Sequence, residues 1–169
     1  MRFLIIFIFL FSNVFADEVT NLKNIVIHKE LKKYDLITFL DIENNQIDLK
    51  DYKGNLILLN FWATWCAPCK EEMPSLDELS KNKELNNLAI FPINVGKDST
   101  DKSFQFFKNL KIENLNLYFD APITLAKKFQ LRGIPTSILL DKNGYEFARI
   151  IGSIDFEDKD FIKWLSNYN

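Results

Sequence analysis

Short apolar runs and amphipathic segments follow one another along this chain. LILLNFW at residues 56–62 and LAIFPINV at residues 88–95 are continuous apolar runs, which predict buried strands covered on both faces. TSILLD and YEFARIIG flank the turn Lys142-Asn143-Gly144, and Asn-Gly at such a tip predicts a hairpin. Residues 36–55 predict a second hairpin around the letters ENNQ.

Helical spacing of apolar residues appears between and after these strands. A helix is predicted from Pro68 to about Lys81, with Pro74 expected to kink it. Residues 98–110 open with Ser and Thr capping candidates, and APITLAKKFQL at residues 121–131 also predicts a helix. The following sets are expected to form the buried helical faces: Phe104, Phe107 and Leu110 in the second helix, and Phe161, Trp164, Leu165 and Tyr168 in the last. The order of elements predicts an α/β fold with a mixed central sheet flanked by helices.

The first 16 residues do not fit this pattern. Arg2 precedes an apolar run from Phe3 to Phe11, and Val14 and Ala16 occupy the −3 and −1 positions of a cleavage site. This order predicts a secretory signal peptide over residues 1–16, and a retained membrane anchor is the alternative. Both interpretations place the folded part outside the cytosol. Residues 17–35 are polar and lysine-rich and are interpreted as a lead-in segment, and residues 36–169 as the folded domain.

Composition narrows the function further. The chain has 169 residues, of which 47% are hydrophobic, so one domain with a packed core is expected. Its formal charge is −2, which gives no support for nucleic-acid binding because that function usually shows a basic excess.

Cys66 and Cys69 are the two cysteines of the chain and lie in the stretch FWATWCAPCK. The predicted helix begins near Cys66, so its sulfur would lie at a helix N-terminus, where free N–H groups and the helix dipole stabilise a thiolate. Pro68 suits the first helical turn, and Cys69 would follow on the same side. This placement predicts a redox pair in which Cys66 attacks a disulfide and Cys69 resolves the mixed disulfide.

Two other interpretations of the cysteine pair have less support in the sequence. Half a zinc site would need two further ligands, but His28 is the only histidine and there is no third cysteine. A purely structural disulfide would close a very short loop and gain little chain entropy. No metal and no cofactor are therefore expected.

A second candidate feature is RGIPTS at residues 132–137. Pro135 precedes a predicted strand, which makes it a candidate cis-proline. A cis bond here would leave the backbone of Ile134 free to pair with an extended substrate segment.

NFWATWCAPCKEEMP at residues 60–74, together with GIPTSILLDKNG at residues 133–144, resembles the thioredoxin-fold superfamily. Within it, the chain is similar to the exported TlpA/ResA/CcmG type of thiol–disulfide oxidoreductase over roughly residues 36–169. The resemblance implies an N-terminal hairpin and a helix-containing insertion at residues 99–128, before the cis-proline strand. It also implies that Trp65, Ala67 and Pro68 support the active site and that Ile134 and Pro135 form the substrate groove.

Asn60 departs from the pattern of thioredoxin itself, which usually carries a buried aspartate at this position. Asparagine cannot titrate, so that route for protons is absent; a carboxylate elsewhere is a candidate substitute, and the sequence does not identify it.

The resemblance implies a periplasmic or extracytoplasmic reductase of protein disulfides. A membrane donor of the CcdA or DsbD type would keep it reduced, and apocytochrome c or a copper-site protein would receive its electrons. A disulfide-forming oxidase is the catalytic alternative. A Cu(I)- or thiol-binding chaperone is the alternative from another class, because soft thiolates suit Cu(I).

Overall fold

The structure, a computed structural model, describes residues 24–169. The strands are β1 (Ile25–Lys32), β2 (Thr38–Leu40), β3 (Gln46–Asp48), β4 (Leu56–Trp62), β5 (Leu88–Asn94), β6 (Tyr118–Phe119), β7 (Thr136–Leu140) and β8 (Glu146–Ile151). The α-helices are α1 (Ala67–Leu79), α2 (Thr100–Asn109), α3 (Leu125–Lys128) and α4 (Lys159–Ser166). Short 3-10 helices span Leu49–Tyr52 and Lys83–Leu85.

All of these strands form one mixed sheet in the order β1-β8-β7-β4-β5-β6-β2-β3. The central strand β4 runs parallel to β5 and antiparallel to β7, and all seven of its residues are buried. Side chains of α1, α2 and α4 pack in the core on one face of the sheet, and those of α3 pack in the core on the other. The predicted α/β fold with a mixed central sheet between helices is confirmed.

Both predicted hairpins are present. The strands β2 and β3 pair around the ENNQ turn, where the Asp41 carboxylate accepts the backbone N–H groups of Glu43 and Asn45. The strands β7 and β8 pair around the Asn-Gly turn, and Gly144 there adopts a φ of +83°, which glycine reaches without steric strain.

The inserted segment differs in detail from its prediction. Phe104 was expected on the buried face of α2, but it is 56% exposed, and Phe106 is buried instead. Tertiary packing explains this difference, because the ring of Phe106 stacks on Trp62 of the central strand with their centroids 4.8 Å apart. The predicted third helix is reduced to the single turn of α3.

The buried carboxylate of Asp77 connects this insertion to α1. It accepts the backbone N–H groups of Glu113, Asn114 and Leu115, at 3.3, 2.9 and 3.0 Å. The side-chain amide of Asn114 donates to the same carboxylate. The loop that follows α2 is therefore attached to the helix that carries both cysteines.

The predicted signal peptide and residues 17–23 of the lead-in lie outside the described residues. The rest of the lead-in contains β1, which pairs antiparallel with β8 and forms one edge of the sheet. Among residues 24–169, no helix combines the length and the apolar character needed to cross a membrane.

Candidate active site

Cys66 and Cys69 form a disulfide at the start of α1, with the sulfur atoms 2.04 Å apart. Cys66 is the N-cap of this helix, and its Sγ accepts the backbone N–H of Cys69 at 3.3 Å. Pro68 lies in the first helical turn, where no helical hydrogen bond is lost. The predicted placement of Cys66 at a helix N-terminus is confirmed, and the free N–H groups there stabilise a thiolate.

The surroundings of the two sulfur atoms differ. Cys69 is fully buried, whereas Cys66 retains 5% exposure and is bordered by the exposed residues Trp65, Ala67 and Pro68. Trp65 is 67% exposed, which is unusual for so large an apolar side chain. A partner protein can therefore approach Cys66 over this apolar rim, while Cys69 is reached only from inside the fold.

The peptide bond between Ile134 and Pro135 is cis, in agreement with the sequence prediction. Thr136 pairs with Phe61 across the antiparallel strands β7 and β4, so the start of β7 lies at the end of the sheet where β4 ends. The active-site loop leaves β4 at the same end of the sheet. Pro135 is buried and Ile134 is half-buried, so Ile134 is the more accessible of the two residues. A second cis bond, between Ala121 and Pro122, was not predicted.

Asp98 fixes the loop that leads into Cys66, a role that sequence reasoning missed. Its carboxylate accepts the backbone N–H and the hydroxyl of Thr64, at 2.9 and 2.7 Å, and also pairs with Lys102 at 2.7 Å. Burial acts in the opposite direction, but the hydrogen bonds from Lys102 and Thr64 prevail and lower the pKa of Asp98 from 3.8 to about 2. The loop is therefore held by a carboxylate that stays ionised at neutral pH.

Glu72 is a buried acid that hydrogen-bonds to Asn60, and sequence reasoning did not identify it. It lies one helical turn after Cys69 and is 2% exposed, and Asn60 Nδ2 donates to its Oε1 at 2.8 Å. The backbone N–H of Ile154 donates to the other carboxylate oxygen. Burial raises the pKa of Glu72 from 4.5 to about 7, although these two hydrogen bonds favour the ionised form.

Asn60 itself is fully buried and connects Glu72 to β7, because its Nδ2 also lies 3.0 Å from the hydroxyl of Ser137. Its side-chain oxygen has no hydrogen-bond partner within the described chain. Asn60 cannot titrate, but it thus hydrogen-bonds to a carboxyl group, that of Glu72, which can.

A metal site was not expected from the sequence. Across residues 24–169, no group of three or more His, Cys, Asp or Glu side chains is arranged to hold a metal ion.

Comparison with known proteins gives concordant matches. The sequence model of the AhpC/TSA family matches residues 27–145. The chain is similar to thiol-disulfide oxidoreductase ResA of Bacillus thuringiensis, with 33% identity over 143 residues that cover 85% of this chain and 78% of that protein.

Solved structures share the fold. A secreted thiol-disulfide isomerase from Corynebacterium glutamicum superimposes with a TM-score of 0.72 at 23% identity, covering 88% of this chain and 95% of that one. StoA from Bacillus subtilis superimposes with a TM-score of 0.64 at 24% identity, covering 79% and 96%.

Proposed function

Because this chain belongs to the AhpC/TSA family and is a thiol–disulfide oxidoreductase, we propose that it is an exported reductase of protein disulfides. The observation that carries the proposal is the Cys66–Cys69 disulfide at the start of α1, at the same end of the sheet as the cis bond of Ile134 and Pro135. A first cysteine that keeps slight exposure at a helix N-terminus, followed by a fully buried second cysteine, is the arrangement that two-step disulfide exchange requires.

The exchange begins with the reduced enzyme. The Cys66 thiolate attacks one sulfur of the substrate disulfide, forms a mixed disulfide and displaces the other substrate sulfur as a thiolate, which takes up a proton. The Cys69 thiolate then attacks Cys66 Sγ, so the mixed disulfide breaks and the second substrate sulfur leaves. The substrate gains two electrons and two protons, and the enzyme is left with the Cys66–Cys69 disulfide.

Cys69 must lose a proton before it attacks, and it is fully buried. Glu72 lies on the same side of α1, since residues three apart on a helix are neighbours. A carboxyl group whose pKa is about 7 can accept a proton at neutral pH, and Asn60 and Ile154 keep it in place. We assign Glu72 as the group that moves this proton.

Export and the identity of the partners belong to the same proposal. The composition of residues 1–16 supports a signal peptide, and N-terminal sequencing of the purified protein tests cleavage after Ala16. A mature chain that begins at Asp17 is the expected result, and a retained Met1 would favour the anchor. A membrane dithiol of the CcdA or DsbD type is proposed to return the two electrons, and apocytochrome c or a copper-site protein to receive them.

The reduction potential of the Cys66–Cys69 pair tests the direction of exchange. A reductase should titrate near roughly −270 mV, the value of thioredoxin, and an oxidase near roughly −120 mV, the value of DsbA. A potential near the second value would exclude the reductase.

Exchange itself is tested by trapping. Cys69→Ser should accumulate a mixed disulfide between Cys66 and its substrate in the producing cell, because the resolving thiol is gone. Cys66→Ser with Cys69→Ser is the matched control and should capture nothing. If the single variant captures no protein and the wild type does not reduce insulin, exchange catalysis is excluded.

A further inference from the structure

A groove of about 1000 Å³ opens between β1 and the loop that carries the cis bond. Ile134 and Pro135 line it, whereas neither cysteine does, so the groove adjoins the exchange site only through the cis-proline loop. The exposed apolar residues Val26 and Ile151, from the edge pair β1 and β8, also line it. The groove is therefore placed to hold the part of a substrate chain that extends beyond Ile134.

The charge of this groove has one sign. Its basic lining residues are His28, Lys32, Lys33, Lys128, Arg132 and Arg149, and within the described chain no Asp or Glu lines it. The whole chain carries a formal charge of −2, so this surface is a local exception to the overall balance. A concentration of like charges without counter-charges attracts an anionic ligand or partner.

A buried carboxylate beneath the groove neutralises only part of this charge. Glu146 is fully buried, and Arg149 donates to both of its oxygens, at 2.6 and 2.9 Å. The same carboxylate accepts the hydroxyl of Tyr34, and His28 Nε2 lies 2.6 Å from its Oε1. These contacts hold the base of the groove in place and neutralise the charge of Arg149.

Other basic side chains that line the groove are not neutralised by a carboxylate of the described residues. Lys32, Lys33 and Arg132 are exposed and form no ion pair within residues 24–169. Lys128 donates to the backbone carbonyls of Asp35 and Leu36, which fixes its ammonium group but leaves its charge. Four positive charges are thus available along the groove.

We propose that this groove binds Asp and Glu side chains that flank the disulfide of the substrate protein, so that the enzyme selects acidic partners. The inference rests on the proposed function. Arg132 lies two residues before Ile134, so a substrate segment that pairs with the Ile134 backbone passes close to this cation. An extended segment fits because the groove runs from the cis-proline loop to the sheet edge formed by β1.

Two disulfide-linked peptides that differ only in their flanks test this selection with the full chain. One carries four Glu residues beside its cysteine, and the other carries Gln at the same positions. At low ionic strength the wild type should reduce the acidic peptide with a kcat/KM about tenfold higher, and this ratio should approach one near 0.5 M salt as charges are screened. A ratio of one at low salt would overturn the proposal.

Charge reversal distinguishes recognition from a general loss of structure. Lys33→Glu with Arg132→Glu should lose the preference for the acidic peptide and prefer a third peptide with Lys flanks. Lys83→Glu with Lys159→Glu is the matched control, since neither residue lines the groove, and it should keep the wild-type ratio. An unchanged ratio in the groove variant would refute the proposal.

Binding without exchange keeps this test separate from the test of the proposed function. Labelled peptides in which Ser replaces the cysteine are titrated with each protein by fluorescence anisotropy. If no peptide is reduced by any variant, the proposed function fails, and the anisotropy result still supports or refutes the groove. Equal affinity for acidic and neutral peptides, with tight binding to anionic phosphatidylglycerol vesicles instead, would identify a membrane-facing surface and overturn the proposal.

Discussion

Replacement of Glu72 by glutamine separates the effect of its charge from the effect of its shape. In the folded protein, burial raises the pKa of Glu72 from 4.5 to about 7. The folded state therefore keeps a proton that the unfolded state releases over this interval, so unfolding becomes easier as the pH rises. Since one pKa unit corresponds to about 1.4 kcal/mol, the wild type should lose about 3 kcal/mol of unfolding free energy through this residue.

The pH window follows from the two pKa values. Below about pH 4.5 both states hold the proton, and Glu72 contributes its full stability; above about pH 7 both states are ionised, and that stability is lost. Glutamine has one acceptor oxygen and cannot satisfy both Asn60 and Ile154, so Glu72→Gln loses about 1 kcal/mol at every pH. The variant should be about 1 kcal/mol less stable than wild type near pH 4.5 and about 2 kcal/mol more stable near pH 8.5.

Urea unfolding of the oxidised proteins, followed by tryptophan fluorescence at a series of pH values, measures this difference. Glu71→Gln is the matched control, because Glu71 is the exposed neighbour on the same helix, and it should follow the wild-type curve. If the wild type and Glu72→Gln lose stability in parallel between pH 4.5 and pH 8.5, the carboxyl group is not protonated in the fold and the reasoning is wrong.

Three other substitutions test the supports around the site. Asp98→Asn removes an ionised acceptor of the active-site loop and should cost about 1–3 kcal/mol in urea unfolding at pH 7. Because the pKa of Asp98 is lowered from 3.8 to about 2, this difference should shrink as the pH falls through that range, and a constant difference would contradict the assignment. Gly96→Ala would place its methyl group 2.6 Å from Ala63 Cβ and should cost about 1–3 kcal/mol, seen as a lower Tm, whereas Gly133→Ala meets no atom within 4 Å and should not. Glu146→Ala leaves its arginine and histidine partners without their buried acceptor and should cost about 3–5 kcal/mol in urea unfolding, and a loss below about 1 kcal/mol would show that the cluster is not structural.

The features that could be predicted are those that depend on local sequence. Cys66, Cys69 and Pro135 stand in short motifs whose spacing implies a helix start and a strand start, and the structure has both. The continuous apolar run of β4 predicts a strand covered on both faces, because no polar side chain interrupts it except Asn60. Such signals need no knowledge of distant residues.

Glu72 and Phe106 were missed because burial at these positions depends on distant partners. In the sequence, Glu72 looks like part of an exposed charged run with Lys70 and Glu71. A usable signal was present, since Glu72 lies three residues after Cys69 and four before Leu76, on the buried face of α1. Helical spacing predicted the burial of Phe107 but not that of Phe106, whose ring stacks on Trp62.

The strand β1 also gave no periodic signal. Most of its residues are exposed, because an edge strand pairs on one side only and packs little apolar surface. Its location was therefore set by pairing with β8, which the sequence does not reveal.

The contacts of Asp77 bear on how the molecule opens locally. Its carboxylate accepts hydrogen bonds from three consecutive backbone amides of the insertion and holds them against α1. Those amides cannot exchange with solvent unless these hydrogen bonds break. The helix that carries the redox pair and the loop after α2 should therefore open as one cooperative unit in hydrogen–deuterium exchange. A partner that binds to the insertion would then change the exchange protection of α1. Reduction of the disulfide would likewise change the exchange protection of residues 113–115.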